Sequence, residues 1–408
     1  MKNRSLPLIL LALTLFACQC KKADIDLPPG IDFSCEESPA TCELTAANGD
    51  FAINLLKQLN TDEPDDNIFI SPFSISTALT MTVNGADGQT LDDMQSTLQI
   101  ADLEMPAVNK SYQQLLEVIP GLDPQTKVKL ANSIWPKIDY PVLQSFLDLN
   151  AEYFSSEIIP ADFKDPGIID EVNQWIEDHT DGLLKETLKE LPPDVVMLLI
   201  NAIYFKGTWQ TEFEPDNTHT ANFFADSGPL EVDMMHIPES DFPYFENDLF
   251  QAVDLPYGDS IFSMSVFLPK EGNDVADVIA ALNPDSWVQW TDAFVAQPVS
   301  VYLPKFEMEY RKELKRTLSD MGMEVAFTFS ADFSKMIDGG GVMIDDVIHH
   351  AFVEVNEEGT EAAAVTVVIM VETSAPSIPI INVNHPFLFV IRDNKTNSIL
   401  FMGKVMTI

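Results

Sequence analysis

The spacing of apolar residues along the chain changes several times, and each change predicts an element. Asn48–Leu59 and Ile168–His179 carry apolar residues at helical spacing, and Thr180-Asp-Gly after the second is a typical helix stop. Ser71-Pro72 is typical of a helix start, because proline is well tolerated at the first helical position. Two further segments have helical spacing, namely Asp274–Leu282 and Arg311–Met321.

Other segments are short, apolar and bounded by turn residues, which predicts strands. They are Lys127–Trp135, Val195–Phe205, Val253–Tyr257, Ile261–Leu268, Leu388–Ile391 and Ile399–Val405. The last two are separated by a polar turn, which favours a hairpin. Helices and strands are mixed along the chain without a repeat. The pattern therefore predicts the α+β class with mostly antiparallel sheets.

The stretch Asn356–Val371 begins with charged, turn-forming residues and then becomes small and β-branched without charge. Successive side chains of a strand point to opposite faces, so Thr360, Ala362 and Ala364 would share one face. The residues of that face are small at its leading end and uncharged throughout. An ordinary buried strand would explain this periodicity equally well.

Six segments together resemble the serpins, a family of serine protease inhibitors. The first has the family's hinge pattern and reads Glu357-Glu358-Gly359-Thr360-Glu361-Ala362-Ala363-Ala364. The others occur in the family's order and are Asn67–Leu79, Asn201–Trp209, Val301–Glu307, His385–Phe389 and Ile399–Val405. The resemblance extends from about Asn48 to the C-terminus.

The resemblance implies a single domain over 48–408, with three mostly antiparallel sheets, about nine helices and an exposed reactive-centre loop at about 359–381. It implies an inhibitor and not an enzyme. His349 would lie at the centre of the main sheet, in the region called the shutter, with Ser71, Ser74 and Asn201 as its polar partners. Trp209 would lie at the top of that sheet, in the breach, where the loop begins to insert.

The position of the bond that a target protease attacks can be estimated by counting residues from the hinge. Glu357 as the first residue of a seventeen-residue run places the bond at Thr373–Ser374. A run shorter by one residue places it after Glu372, and counting back from His385-Pro386 lets it move to Ala375. Thr373 is small and uncharged, which fits elastase-like or subtilisin-like proteases. Trypsin-like proteases need Lys or Arg, and no basic residue occurs between Gly359 and Ile391.

The net charge of −41 excludes several function classes. Strong acidity disfavours binding to nucleic acid or to an anionic membrane surface. Arg311, Lys312, Lys315 and Arg316 are expected to form a solvated helix face. The chain has no Gly-x-Ser-x-Gly, Walker or His-Glu-x-x-His motif. The His349-His350 pair has no partner at metal-site spacing, so no metal and no cofactor are expected.

The N-terminus resembles a bacterial lipoprotein signal. Lys2 and Arg4 precede an apolar run, Leu6–Phe16, that is too short to span a bilayer. Leu15-Phe16-Ala17-Cys18 resembles the cleavage box, which makes 1–17 a signal peptide and Cys18 the lipid-modified residue. Phe16 departs from the small residue usual there, and a plain secretory signal cut near Ala17 is the alternative. Either reading predicts an extracytoplasmic protein, secreted or held at the cell envelope through a lipid.

The segment 18–47 has the composition of a flexible tether. Cys35 and Cys42 can close a short loop in an oxidising compartment, whereas the number of cysteines left after lipidation of Cys18 is odd. The predicted serpin domain contains no cysteine.

The function that the resemblance implies is suicide-type inhibition, in which the inhibitor monomer holds a serine protease, or some cysteine proteases, as a covalent acyl complex. A non-inhibitory serpin-like carrier or chaperone is the main alternative. The small residues at Thr360 and Ala362–Ala364 favour inhibition, because non-inhibitory relatives tend to carry bulky, charged or proline residues there. A surface lipoprotein adhesin is supported only by Cys18 and the tether.

Overall fold

The computed structural model describes residues 35–359, 378–396 and 398–408. These residues contain nine α-helices: α1 (Pro39–Asp62), α2 (Pro72–Val83), α3 (Gly88–Thr97), α4 (Met105–Val118), α5 (Gln144–Phe154), α6 (Ile168–His179), α7 (Val275–Ala281), α8 (Pro284–Asp292) and α9 (Lys315–Leu318). None of the helices in these ranges is long and apolar enough to cross a bilayer.

The same residues form fourteen strands: β1 (Ile68–Ile70), β2 (Thr126–Pro136), β3 (Glu157–Ile158), β4 (Met197–Gly207), β5 (His219–Ala225), β6 (Gly228–Glu246), β7 (Phe250–Tyr257), β8 (Phe262–Pro269), β9 (Val295–Pro304), β10 (Phe306–Glu313), β11 (Ile348–Val355), β12 (Ile380–Asn382), β13 (Phe387–Asp393) and β14 (Ile399–Val405).

Hydrogen bonding groups these strands into three sheets, as the resemblance predicted. A nine-stranded sheet has the order β1-β14-β13-β8-β7-β6-β9-β12, with β5 paired to β6. A second sheet has the order β3-β2-β4, and β10 pairs with β11 in a third. Only β2–β3 and β9–β12 are parallel among the strand pairs of the described residues. The predicted α+β class with mostly antiparallel sheets is confirmed.

The core is formed largely by β7, β8, β13 and β14, whose apolar side chains are almost completely buried. In β8 and β14 every residue is buried, which the continuous apolar runs of these segments predicted. Phe69 stacks on Phe389 and Phe401 within this core. Lys404 is the exception, and its ammonium donates hydrogen bonds to Asn60 Oδ1 (2.9 Å) and to the carbonyls of Glu63 (2.7 Å) and Pro64 (2.8 Å).

Two helix predictions need correction. Arg311–Met321 was predicted as one helix, but β10 continues through Glu313 in register with β11, and Glu313 lies opposite Ile348. Met308 and Tyr310 are buried at alternate positions, so the strand period extends further than the sequence indicated. Arg311 and Lys312 therefore lie on a strand and only Lys315 and Arg316 lie on a helix, so the four cations do not form one helix face.

The first helix begins at Pro39 and not at the predicted Asn48. Thr41, Leu44 and Thr45 are buried, and Thr41 Oγ1 donates to Gln114 Oε1 of α4 at 2.9 Å. The segment from Pro39 to Ala47 is therefore packed helix, whereas its composition predicted a tether. Cys35 and Cys42 form a disulfide, which fixes the chain to the first turn of this helix.

Opening this disulfide is expected to lower the free energy of unfolding by about 2 kcal/mol, because a closed short loop restricts the unfolded chain. Urea unfolding with and without a reductant measures the effect. The variant Cys35→Ala/Cys42→Ala is the matched control and should not respond to the reductant. An equal stability of the oxidised and reduced wild-type protein would contradict the prediction.

Candidate functional site

The most informative part of the fold is the boundary between the β3-β2-β4 sheet and the β10-β11 pair. Strands β4 and β11 are the edges that face this boundary, and no strand pairing joins them within the described residues. An isolated antiparallel bridge between Thr208 and Gly359 connects the β3-β2-β4 sheet with the β10-β11 pair just beyond the ends of β4 and β11. We call the space between β4 and β11 the slot.

A small cavity lies in the slot. Ile203, Tyr204 and Phe205 of β4 line one side of it and Phe352 of β11 lines the other. Leu183 and Leu184, which follow α6, cover it. The walls are therefore mostly apolar, and an apolar side chain entering here would be removed from water.

The upper end of the slot is closed by the indole of Trp209, which is buried. Its Nε1 donates to the carbonyl of Asn356 at 2.9 Å, and its backbone N–H donates to the carbonyl of Glu358 at 2.8 Å. The indole stacks on Tyr257 at 4.4 Å between ring centroids. Trp209 thus holds the residues that follow β11.

The chain reverses direction immediately after β11. Asn356 and Gly359 exchange backbone hydrogen bonds, with N···O distances of 2.9 and 3.3 Å. The bridge from Gly359 to Thr208 is antiparallel, so at Gly359 the chain already runs opposite to β4. Asn356–Gly359 is therefore a turn beside the upper end of the slot.

Glu357 fixes the turn to the surrounding sheet. Its carboxylate forms an ion pair with Lys305 at 2.9 Å and accepts a hydrogen bond from Thr218 Oγ1 at 2.8 Å. Burial raises the pKa of Glu357, but the hydrogen bonds from Lys305 and Thr218 outweigh burial and hold the pKa below its usual range. Glu357 is therefore a charged anchor at the base of the predicted hinge.

Gly359 is the position where the hinge needs glycine. Its φ is +146°, in a region that other residues rarely adopt. A Cβ at this position would lie 2.0 Å from the carbonyl oxygen of Gly207 and 2.8 Å from Thr208 Cα. The close approach of the two backbones therefore excludes a side chain.

The predicted shutter residues come together below the slot. Ser71 caps α2 and its Oγ accepts from the N–H of Ser74, at 3.2 Å. The Ser74 hydroxyl donates to Asn201 Oδ1 of β4. The N–H of Ser71 donates to His349 Nε2 of β11 at 3.2 Å. The start of one helix thus binds both edges of the slot.

Asn132 of β2 belongs to the same network and was missed in the sequence. Asn201 Nδ2 donates to Asn132 Oδ1 at 2.7 Å, and Asn132 Nδ2 donates to the carbonyl of Phe154 at 2.8 Å. An amide residue beside the apolar residues Leu130, Ala131 and Ile134 of a strand was the signal that could have identified it, because buried polar groups require partners.

The two adjacent histidines have different environments. His349 is fully buried, and burial, with a smaller contribution from His350, lowers the pKa of its imidazole to about 3. His350 contacts Thr187 Oγ1 and Glu309 Oε1, both at 2.8 Å. Both rings are engaged with protein partners, and the described residues contain no group of three or more His, Cys, Asp or Glu arranged to hold a metal ion.

Several predicted residues lie outside the described residues. They are the rest of the hinge (Thr360, Glu361, Ala362, Ala363 and Ala364), the candidate bond residues (Glu372, Thr373, Ser374 and Ala375) and Cys18. At the other end of the loop, Ile380–Asn382 pairs with Ser300–Tyr302 of β9. The predicted end of the loop, at about Ile381, therefore falls within β12.

Comparison with known proteins identifies the class that this arrangement defines. The model of the family Serpin (serine protease inhibitor) matches residues 46–408. Neuroserpin of Rattus norvegicus is 31% identical, over 88% of this chain and 90% of the relative. An uncharacterized serpin-like protein of Thermococcus kodakarensis is 35% identical, over 87% of this chain and 84% of the relative.

The structure of human thyroxine-binding globulin with thyroxine superposes with a TM-score of 0.81 at 28% identity, covering 90% of this chain and 99% of that one. The chain belongs to the serpin family. Its fold is the α+β serpin fold, and the matching family is described as serine protease inhibitors, which are not enzymes, as the sequence predicted.

The low pKa of His349 predicts a pH dependence of stability. The unfolded chain takes up a proton near pH 6.5, whereas the folded chain takes it up only near pH 3. Between these values the unfolded state binds more protons, so the contribution to stability falls as the pH falls, by at most about 1.4 kcal/mol per pH unit.

The variant His349→Gln isolates this contribution, because its amide keeps one acceptor for Ser71 and one donor. Urea unfolding at pH 7, 6, 5 and 4 should show the wild type losing stability relative to the variant as the pH falls. His219→Gln, at an exposed position of β5, is the control. Parallel stability curves for the wild type and His349→Gln would show that burial of this imidazole does not control the pH dependence.

Proposed function

We propose that this chain is a suicide-type inhibitor of extracytoplasmic serine proteases with elastase-like or subtilisin-like specificity. The observation that carries the proposal is the slot, which has a strand edge on each side and, at its upper end, the turn Asn356–Gly359 from which the following chain continues. That following chain begins with Thr360 and the small residues Ala362 and Ala364, which can pass into a sheet without steric conflict.

In the proposed reaction the protease attacks the carbonyl carbon of Thr373. An ester bond forms between that carbon and the protease serine, the Thr373–Ser374 peptide bond breaks, and Ser374 becomes a new amino terminus. The freed segment Thr360–Thr373 then enters the slot antiparallel to both β4 and β11. Its passage carries the attached protease on the order of 45 Å, at ~3.3 Å per residue, before the ester is hydrolysed.

Hydrogen bonding and the burial of apolar side chains both lower the free energy on insertion. The new strand forms hydrogen bonds with two sheet edges that are not paired with each other. Continued from the Gly359–Thr208 bridge, this pairing would place Val368 and Met370 on the face of the sheet that carries Asn201 and Phe205, away from α6. Each buried side chain of this kind contributes roughly 1.5–3 kcal/mol. The chemical step belongs to the protease, and this chain supplies the scissile bond and the free energy.

The proposed location is outside the cytoplasm. Residues 1–17 have the organisation of a signal peptide and Cys18 the context of a lipidated cysteine. A lipid at Cys18 would hold the inhibitor at the cell envelope, and the chain before Pro39 would separate the domain from the membrane. Detection of the full signal peptide on a cytoplasmic protein would refute this location.

The second candidate function is a non-inhibitory binding protein. The similarity to thyroxine-binding globulin, solved in complex with thyroxine, favours it because that serpin carries a small molecule. The hinge residues argue against it for this chain. A loop that proteases cut without formation of a covalent complex would support the carrier.

The test of inhibition uses a protease panel on denaturing gels. Elastase-like or subtilisin-like proteases should form a complex that survives boiling in detergent, whereas trypsin should not, because Thr373 offers no cation. Mass spectrometry should find a released peptide that begins at Ser374, and a peptide that begins at Thr373 or Pro376 would move the bond to the alternatives Glu372 or Ala375. Cleavage by every protease without a trapped complex would refute the proposal.

A second prediction concerns the face of the hinge that enters the slot. Thr360→Arg would bring an unpaired cation under the sheet, and burial of such a charge costs several kcal/mol. Insertion should become slower than hydrolysis of the ester, so the variant should be cleaved as a substrate. Glu361→Arg, on the opposite face, is the control. An unchanged stoichiometry of inhibition for Thr360→Arg would show that Thr360 is not buried under the sheet during insertion.

A further inference from the structure

Another cavity lies away from the slot, between α1 and the end of α3. Its volume is about 290 Å³, and it is open to solvent. Polar side chains form most of its lining, among them Asn54 and Lys57 of α1 and Thr97 and Gln99 at the end of α3. Met321, which follows α9, completes the wall on another side. None of these residues belongs to the slot, so the cavity is a separate feature of the fold.

Helix α3 ends in a left-handed residue at a place where glycine is usual. The φ of Gln99 is +61°. Its N–H donates to the Ser96 carbonyl at 3.1 Å, and the N–H of Ile100 donates to the Gln95 carbonyl at 2.9 Å, which closes the helix. A Cβ is strained in this conformation, so glutamine costs free energy that glycine would not. Strained residues of this kind cluster at functional sites, and this one lines the cavity.

The cavity wall also contains a buried hydroxyl with a distant partner. Thr97 is 3% exposed, and its Oγ1 lies 3.5 Å from the carbonyl oxygen of Met321, at the outer limit of a hydrogen bond. Buried hydroxyls normally have a closer partner. Met321 belongs to a wide turn of π-helical geometry, Ser319–Met323, and such turns are frequent at functional sites. A ligand hydroxyl in the cavity would supply Thr97 with a closer partner.

The chemistry of the lining favours an uncharged ligand. Gln99 Nε2 donates to the Ser96 carbonyl at 2.9 Å, so the second amide hydrogen and the oxygen remain for a ligand. Asn54 offers another amide, with both donors and an acceptor. Lys57 is the one charged residue of the lining among the described residues, and its ammonium donates to the Ala280 carbonyl at 3.4 Å. The carboxyl end of α3 disfavours an anion, because its dipole is negative there.

We propose that this cavity binds a small, uncharged, hydroxyl-rich ligand of monosaccharide size, with Asn54, Thr97 and Gln99 as its hydrogen-bonding residues. Each hydroxyl of such a ligand is both a donor and an acceptor, which matches the amides and the hydroxyl of the lining. Ligand pockets begin at about 300 Å³, so the cavity accommodates one sugar ring and not a longer chain. The site lies outside the slot, and the inference goes beyond the proposed inhibition.

The variant Gln99→Gly separates binding from folding. It removes the side chain from the cavity and places glycine where the backbone is left-handed, so the stability of the protein should stay equal or rise. Asn54→Ala removes the amide that α1 contributes, and alanine is well suited to a helix. Ser155→Gly is the matched control, because Ser155 ends α5 with a φ of +50° and lies outside the cavity lining.

The experiment measures binding by saturation-transfer NMR on the folded protein. Glucose, galactose, mannose and xylose are titrated at millimolar concentrations, where the general stabilising effect of sugars is small. At least one of them should give a saturable signal that acetate and sulfate do not reduce. Gln99→Gly and Asn54→Ala should each weaken the affinity about 3- to 10-fold, as expected for one lost hydrogen bond. Ser155→Gly should match the wild type.

Several results would overturn the proposal. The absence of a saturable signal with all four sugars would show that the cavity does not bind this class of ligand, and displacement by acetate or sulfate would indicate an anion site at Lys57. Wild-type affinity in Gln99→Gly or Asn54→Ala would place the sugar elsewhere, and an equal loss in Ser155→Gly would show a general effect of glycine. A lower midpoint of urea unfolding for Gln99→Gly would show that its side chain serves folding.

Discussion

The constraint on which this structure depends is that β4 and β11 lie next to each other without a strand pairing between them in the described part of the chain. Strand edges have a strong tendency to acquire partners, and proteins normally cover or disrupt them. Here the edges face each other across an apolar slot, which keeps other chains away. Trp209, the start of α2 and the turn after β11 contact the edges or the upper end of this slot.

The slot is held at three levels by different chemistry. Trp209 closes the upper end through two hydrogen bonds to the residues after β11. Below it, the start of α2 binds His349 on one edge and Asn201 on the other through a network of buried polar groups. Outside the sheet, the segment between α6 and β4 binds β2 through Asp181 and β11 through Thr187. A buried polar group that loses its partner costs more free energy than its hydrogen bond contributes when it is formed. The buried network therefore favours the closed slot and opposes partial opening.

The net charge of the chain mainly affects its interactions with other molecules. A net charge of −41 keeps the molecule soluble and disfavours association with nucleic acid. Some of the lysines join separate elements. Lys305 forms an ion pair with Glu357, and Lys404 donates a hydrogen bond to the carbonyl of Glu63 at the end of α1. The cysteines lie before Leu44, and the Cys35–Cys42 disulfide leaves the slot region free of covalent cross-links among the described residues.

The sequence by itself determined the fold class, the family and most of the strands, because the hydrophobic period of β8, β13 and β14 is local and these segments are buried whatever their partners. It also predicted α6 to the residue, since its apolar face and its stop signal are both local. Tertiary structure decided where local signals compete or are absent. The period of β10 extended through charged residues because β11 pairs with them, and Pro39–Ala47 became helix because α4 covers it. The contacts of Asn132 and Thr187 depend on residues far apart in the chain, and no spacing along one segment encodes such contacts.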